Sequence, residues 1–142
     1  MISDTKVVAI GGGTGLSTML KGLKLHTHNI TAVVTVADDG GSSGILRSDL
    51  GMLAPGDVRN CVSALAEVDP VMGELLNFRF KDGSLKGHSL GNLFLAALNE
   101  TSSSFDEAVK KFSHLTGVVG TVYPVTNESV TLSALLEDGR LI

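Results

Sequence analysis

Val7-Val8-Ala9-Ile10-Gly11-Gly12-Gly13-Thr14-Gly15-Leu16 is the stretch on which the fold of this 142-residue chain turns. A short apolar run closed by glycines reads as a strand buried on both faces of a parallel sheet. Past the glycines, Leu16, Met19, Leu20 and Leu23 recur at i, i+3, i+4 and i+7, which predicts an amphipathic helix over Leu16 to Leu25. The β-branched run Ile30 to Val36 then predicts a second strand. Strand, helix and strand at this spacing make a βαβ unit, whose crossover is right-handed almost without exception. The fold class that follows is α/β: a Rossmann-like, doubly wound, mainly parallel sheet with helices on both faces.

Further along, Asp38-Asp39-Gly40-Gly41-Ser42-Ser43-Gly44 has neither helical nor strand periodicity and reads as a mobile loop. Helical spacing returns at Val58, Val62 and Leu65, with Asp57 placed as an N-cap, and a further helix is expected over Val71 to Phe78. Leu90, Leu93, Phe94, Ala97 and Leu98 form another helical stripe, opened by His88-Ser89. Ser104-Phe105-Asp106-Glu107 is a capping box, so a helix should run from Phe105 to about Leu115. Val118 to Val125 and Val130 to Leu136 read as strands, and Asp138-Gly139 as a hairpin turn. No repeat or linker divides the chain, so residues 1–142 are read as one Rossmann-like nucleotide-binding domain.

Composition narrows the function classes. Formal net charge is −4, there is one Tyr and no Trp, and these argue against phosphate-backbone binding and against base stacking; nucleic acid is not an expected partner. The single cysteine, Cys61, cannot form an internal disulfide or a cysteine-based zinc cluster, which fits a reducing compartment. No apolar run approaches membrane-spanning length, so a cytoplasmic location without membrane partners is the expectation. Self-association into a homo-oligomer is left open by the sequence.

Three segments carry candidate chemistry. Gly11 to Gly15 lies between a buried strand and a helix, where backbone N–H groups and the positive end of the helix dipole converge on one point, a place for an anion. Gly12, Gly13, Thr14 and Gly15 are therefore candidate phosphate binders; a tight turn without ligand is the alternative, and neither the dinucleotide nor the P-loop fingerprint is complete. Asp38 and Asp39, with Gly40, Gly41, Ser42 and Ser43, offer carboxylates and backbone donors that could hold a magnesium ion and the phosphates it bridges; a solvated loop is the alternative. In Pro55-Gly56-Asp57-Val58-Arg59-Asn60 an acid, a base and an amide cluster at a helix start, with Asp57 either a cap or a metal ligand. His88 and Asn92 flank the start of a later helix, and Cys61 reads as small core filler. No nucleophile–base constellation can be argued from these spacings, so the catalytic residues, if any, are unknown.

Taken together, Ala9-Ile10-Gly11-Gly12-Gly13-Thr14-Gly15-Leu16-Ser17, Val36-Ala37-Asp38-Asp39-Gly40-Gly41-Ser42-Ser43-Gly44, Pro55-Gly56-Asp57-Val58-Arg59-Asn60 and Gly87-His88-Ser89-Leu90-Gly91-Asn92-Leu93 resemble the bacterial gluconeogenesis factor family (YvcK-like). The resemblance runs from about Lys6 to Ile142; Ile45 and Ala54 depart from the family pattern. That family is similar to 2-phospho-L-lactate transferase (CofD-like), which moves a phospholactyl group from a guanosine diphosphate carrier onto a deazaflavin with a divalent metal. The resemblance implies a UDP-sugar-binding regulator that supports cell shape and wall synthesis during gluconeogenic growth, with a transferase as the competing reading. It also implies a truncation at the C-terminal end relative to the family. The ligand set it implies is Gly12 to Gly15 on phosphate, Asp57 with Asp38 or Asp39 near a divalent ion, and Asn60, His88 and Asn92 along the cleft, with Mg2+ and a nucleotide-diphospho ligand as the cofactor and ligand.

Overall fold

In the computed structural model, which describes residues 3–142, three parallel strands and six helices form part of an α/β domain. Strand β1 (Val7–Gly11) pairs with β2 (Ile30–Val34), and β2 pairs with β3 (Thr121–Pro124), in the spatial order β1-β2-β3. Ala9 lies opposite Ala32, and Ala32 opposite Val122. These three, with Ile30 and Val34, are buried and form the floor of the core.

Helix α1 (Gly13–Leu23) crosses from β1 to β2 and places Leu16 and Leu20 on that floor. It starts earlier than its apolar stripe predicts, at Gly13, whose φ of +67° lies in the left-handed region that favours glycine. The connection from β2 to β3 holds the other five helices: α2 (Gly41–Leu50), α3 (Gly56–Leu65), α4 (Pro70–Asn77), α5 (Leu90–Glu100) and α6 (Phe105–Leu115). Helix α3 lies next to α1, β2 and β3, with Val58, Cys61, Val62 and Leu65 fully buried. Helix α6 closes the core with Val109 and Phe112, and the predicted capping box fixes its start. Ser104 Oγ accepts from Glu107 N at 3.1 Å, while the Glu107 carboxylate reaches one residue further back than predicted, accepting from Ser103 N at 2.6 Å.

The parallel α/β architecture is the expected one, but within the described residues the helices cover a single face of the sheet. Val8 and Ile10 point to the other face and are 65% and 76% exposed. The strand order explains this. Two right-handed crossovers that advance in the same direction put both connections on the same side, and helices reach the second face only where the order reverses. No reversal occurs in β1-β2-β3.

Two further expectations are corrected. The glycine- and serine-rich stretch 38–44 is not a mobile loop: α2 begins at Gly41, and Ser42 and Ser43 are buried. Val130 to Leu136 forms no strand of that length; Leu135 bridges Leu141 around the Asp138-Gly139 turn, with Ala134 and Leu136 hydrogen-bonded to Ile142 and Arg140, and the pairing is confined to that short hairpin. No helix among the described residues is long and apolar enough to cross a membrane.

Candidate functional site

The carboxyl ends of β1 and β2 lie side by side, so the glycine turn after Gly11 and the segment that leads from Val34 to Asp38 share one end of the sheet. Ligands bind at this end in open α/β sheets. Beside it opens a polar cleft of about 210 Å³ whose wall is drawn from the starts of α2, α3 and α5. Asp38, Gly40, Gly41, Ser42 and Ser43 form one side, Gly56, Asp57, Arg59 and Asn60 a second, and Asn92 and Arg79 the remainder.

Glycines allow these elements to approach. A Cβ on Gly56 would stand 2.3 Å from Ser43 Oγ, and the Gly56 N–H donates to that hydroxyl at 3.1 Å, which ties α3 to α2. A Cβ on Gly12 would stand 2.3 Å from Thr35 Cγ2 and 2.8 Å from Asp57 Oδ2. The Asp57 carboxylate therefore lies against the glycine turn. A Cβ on Gly44 would meet the carbonyl oxygen of Asp39 at 2.0 Å, so this glycine permits the first turn of α2 to fold back on the aspartates.

Asp57 is not the N-cap that its position predicts. Pro55 is the cap, Asp57 sits inside the first turn, and no side-chain cap bond forms. Its carboxylate has no hydrogen-bond or ion-pair partner among the described residues and is directed at the cleft and Gly12. Asp38 Oδ1 accepts from Gly40 N at 3.0 Å, and its Oδ2 faces the Gly56 side. Asp39 takes no part in this cleft; it borders a separate depression with Arg47 and Ser129. The two carboxylates that line the cleft are thus those of Asp38 and Asp57. No group of three or more metal-ligating side chains forms among the described residues. Two carboxylates suit magnesium, which keeps several waters and completes its shell with substrate phosphates.

A buried network orients a guanidinium in the same cleft. Ser42 Oγ lies 2.8 Å from His88 Nδ1 and accepts from Asn92 Nδ2 at 3.1 Å. Asn92 Oδ1 accepts from Arg59 Nε at 3.3 Å, and Asn77 Oδ1 accepts from Arg59 Nη1 at 2.8 Å. Ser89 caps α5 by accepting from Asn92 N at 3.2 Å. Gly91 lets the Arg59 stem lie flat on α5, since a Cβ there would come within 2.9 Å of Arg59 Cδ. Burial, and then the neighbouring charge of Arg79, lower the Arg59 pKa from its ordinary value.

The structure therefore brings together Asp38, Gly40, Gly41, Ser42, Ser43, Asp57, Asn60 and Asn92, with Gly12 touching Asp57 and His88 acting from behind through Ser42. Gly13, Thr14 and Gly15 belong to α1 and do not line this cleft. Arg79 and Asn77 carry no sequence signal, because they lie just beyond and at the end of α4, outside the motif blocks at 55–60 and 87–93.

The family model described as 2-phospho-L-lactate transferase CofD matches residues 7–142. The chain belongs to the CofD family. Within it, this chain is similar to proteins that carry the gluconeogenesis factor name. One from Thermoanaerobacterium thermosulfurigenes is 63% identical over 141 residues, covering 99% of this chain and 44% of that relative. The gluconeogenesis factor of Bacillus subtilis is 51% identical over 138 residues, covering 96% of this chain and 44% of that protein. A crystal structure of a protein from Bacillus halodurans superposes with a TM-score of 0.93 at 47% identity, covering 98% of this chain and 45% of that one. This CofD-family chain spans less than half the length of these relatives, and the cleft between Asp57 and Arg59 lies wholly within the shared part.

Proposed function

We propose that this chain supplies the phosphate- and metal-binding half of a UDP-sugar-binding regulator of the gluconeogenesis factor type, acting in the cytoplasm to support cell shape and wall synthesis during gluconeogenic growth. The observation that carries the reading is the polar cleft at the carboxyl end of the sheet, which is lined both by carboxylates, Asp38 and Asp57, and by guanidinium groups, Arg59 and Arg79. A nucleotide diphosphate with magnesium presents the complementary charges: a cation for Asp38 and Asp57, phosphate oxygens for Arg59 and Arg79. The relatives' shared name favours the regulator. The metal, when bound, would neutralise and orient the phosphates; Asn60 and the backbone around Gly12 and Gly40 would position them.

A second reading, a CofD-type transferase acting on a nucleotide-diphospho substrate, is favoured by the family match over residues 7–142. Transfer between bound phosphates needs positioning and a metal rather than a dedicated nucleophile, so the cleft also suits it. A thermal-shift screen of UDP-sugars, guanosine diphosphate compounds and nicotinamide nucleotides, with and without magnesium, separates the two, because a ligand that binds the native state raises its stability by mass action. Stabilisation by UDP-sugars without turnover is the expected result. Product formed from a guanosine diphosphate donor and a deazaflavin acceptor would establish the transferase instead.

A further inference from the structure

Arg59 is the one Lys, Arg, Asp or Glu side chain that is buried among the described residues. It is 6% exposed, and a buried charge is normally paired with an opposite one. The ion pairs among the described residues are Lys110–Asp106, Lys111–Glu107 and Arg140–Asp138, and none involves Arg59 or Arg79. Arg59 is held instead by two neutral amide oxygens, on Asn92 and Asn77, through Nε and Nη1. A guanidinium has five N–H donors in a rigid fork, so its Nη2 edge is left without a protein partner. That edge is not sealed in the core: Nη2 is not among the buried polar atoms that lack a partner, and Arg59 lines the cleft.

Arg79 lines the same cleft, anchored by its Nη1 donating to the Gly87 carbonyl. Instead of a carboxylate, the fold sets a second cation beside the first, and Arg79's charge adds to burial in lowering the Arg59 pKa. A network that runs from His88 through Ser42 and Asn92 holds the buried fork in one orientation before any ligand arrives. Two guanidinium groups, neither of them ion-paired to a carboxylate, thus face the same polar space, an arrangement suited to a phosphate.

We infer that Arg59 and Arg79 form a dedicated subsite for one phosphate of a diphosphate group, in the cleft that Asp38 and Asp57 also line. The nucleotide identity of the ligand rests on the function proposed above; the anion subsite does not. It also places the phosphate contacts on side chains from α3 and the end of α4, and not on the backbone of Gly13, Thr14 and Gly15.

Inorganic pyrophosphate is the probe, titrated calorimetrically with and without magnesium into the purified protein and into Arg79→Gln and Arg59→Lys. Arg79 is exposed, so its variant keeps the fold, while Arg59→Lys keeps the charge and removes the fork. Each substitution is expected to weaken pyrophosphate binding by about tenfold or more and to flatten its salt dependence. Unchanged affinity in Arg79→Gln, or no pyrophosphate binding by the unmodified protein, overturns the subsite. If Arg59→Lys fails to fold, Arg79→Gln decides alone. Arms with inorganic phosphate and with a UDP-sugar distinguish the source of the phosphate. UDP-sugar binding that is unaffected in Arg79→Gln sinks the subsite and leaves the proposed function standing. Arginine-dependent pyrophosphate binding with no affinity for any UDP-sugar does the reverse.

Discussion

Gly12→Ala tests the junction on which the site depends. The backbone of Gly12 is extended, at φ −167°, so alanine meets no backbone strain, and the outcome is decided by what its methyl group touches. An ideal Cβ would stand 2.3 Å from Thr35 Cγ2, 2.8 Å from Asp57 Oδ2 and 3.4 Å from Thr35 Cβ. Forcing a methyl into such a space costs about 1–3 kcal/mol, whereas the reduced entropy of the unfolded chain returns only about 0.4–1 kcal/mol. The net expectation is a loss of about 1–2 kcal/mol. The closest atom is the Thr35 methyl, so Thr35→Ser should relieve the clash while keeping the hydroxyl that accepts from Ala37 N at 3.4 Å. Urea unfolding of both single variants and the double variant gives the coupling, which should be about 0.5 kcal/mol or more in the compensating direction. Strictly additive losses would mean that Gly12 and Thr35 do not meet, and the packing of the glycine turn against β2 and Asp57 would be wrong.

Three other outcomes are expected. Asp57→Asn should cost under about 1 kcal/mol of stability, the worth of a carboxylate in a first helical turn without a cap bond, while removing the magnesium dependence of ligand binding; magnesium dependence equal to that of the unmodified protein in calorimetric titrations would remove Asp57 from the metal site. Cys61, whose thiol burial and then Asp57 push up to about 12, should stay unmodified by a thiol reagent at pH 8 and react only as fast as the protein unfolds; rapid labelling of the native state would show that the α3 core is open. Hydrogen bonds from the Ser103 side chain and backbone, and then Lys111, hold the Glu107 carboxyl down at about 2 against an ordinary 4.5. A depressed carboxylate contributes stability above its unfolded value that is lost as pH falls through the folded one, so unfolding midpoints between pH 5 and 2 should drop more for the unmodified protein than for Glu107→Gln, and parallel curves would contradict the assignment.

The sequence alone determined most of the local structure, because the signals for it are local. The apolar run at Val7 to Ile10, the stripe of Leu16 and Leu20, the capping box before α6 and the Asp138-Gly139 turn each depend on residues a few positions apart. The parallel sheet followed from them, and so did the end of it at which the polar cleft opens. The motif blocks identified the family and most of the cleft residues. Tertiary structure decided what depends on groups far apart in the chain. It packed the Ser42-Ser43 stretch against α3 and α5, burying serines that composition reads as mobile. The same packing chose Asp38 over Asp39 for the cleft and left Asp57 uncapped beside Gly12. Arg79 joined Arg59 only through the fold, since α4 carries no glycine signature and its place beside α5 is set by packing. The bare side of the sheet also comes from topology: Val8 and Ile10 read as buried strand residues, and whether a second layer covers them depends on where the strand order reverses, which no periodicity records.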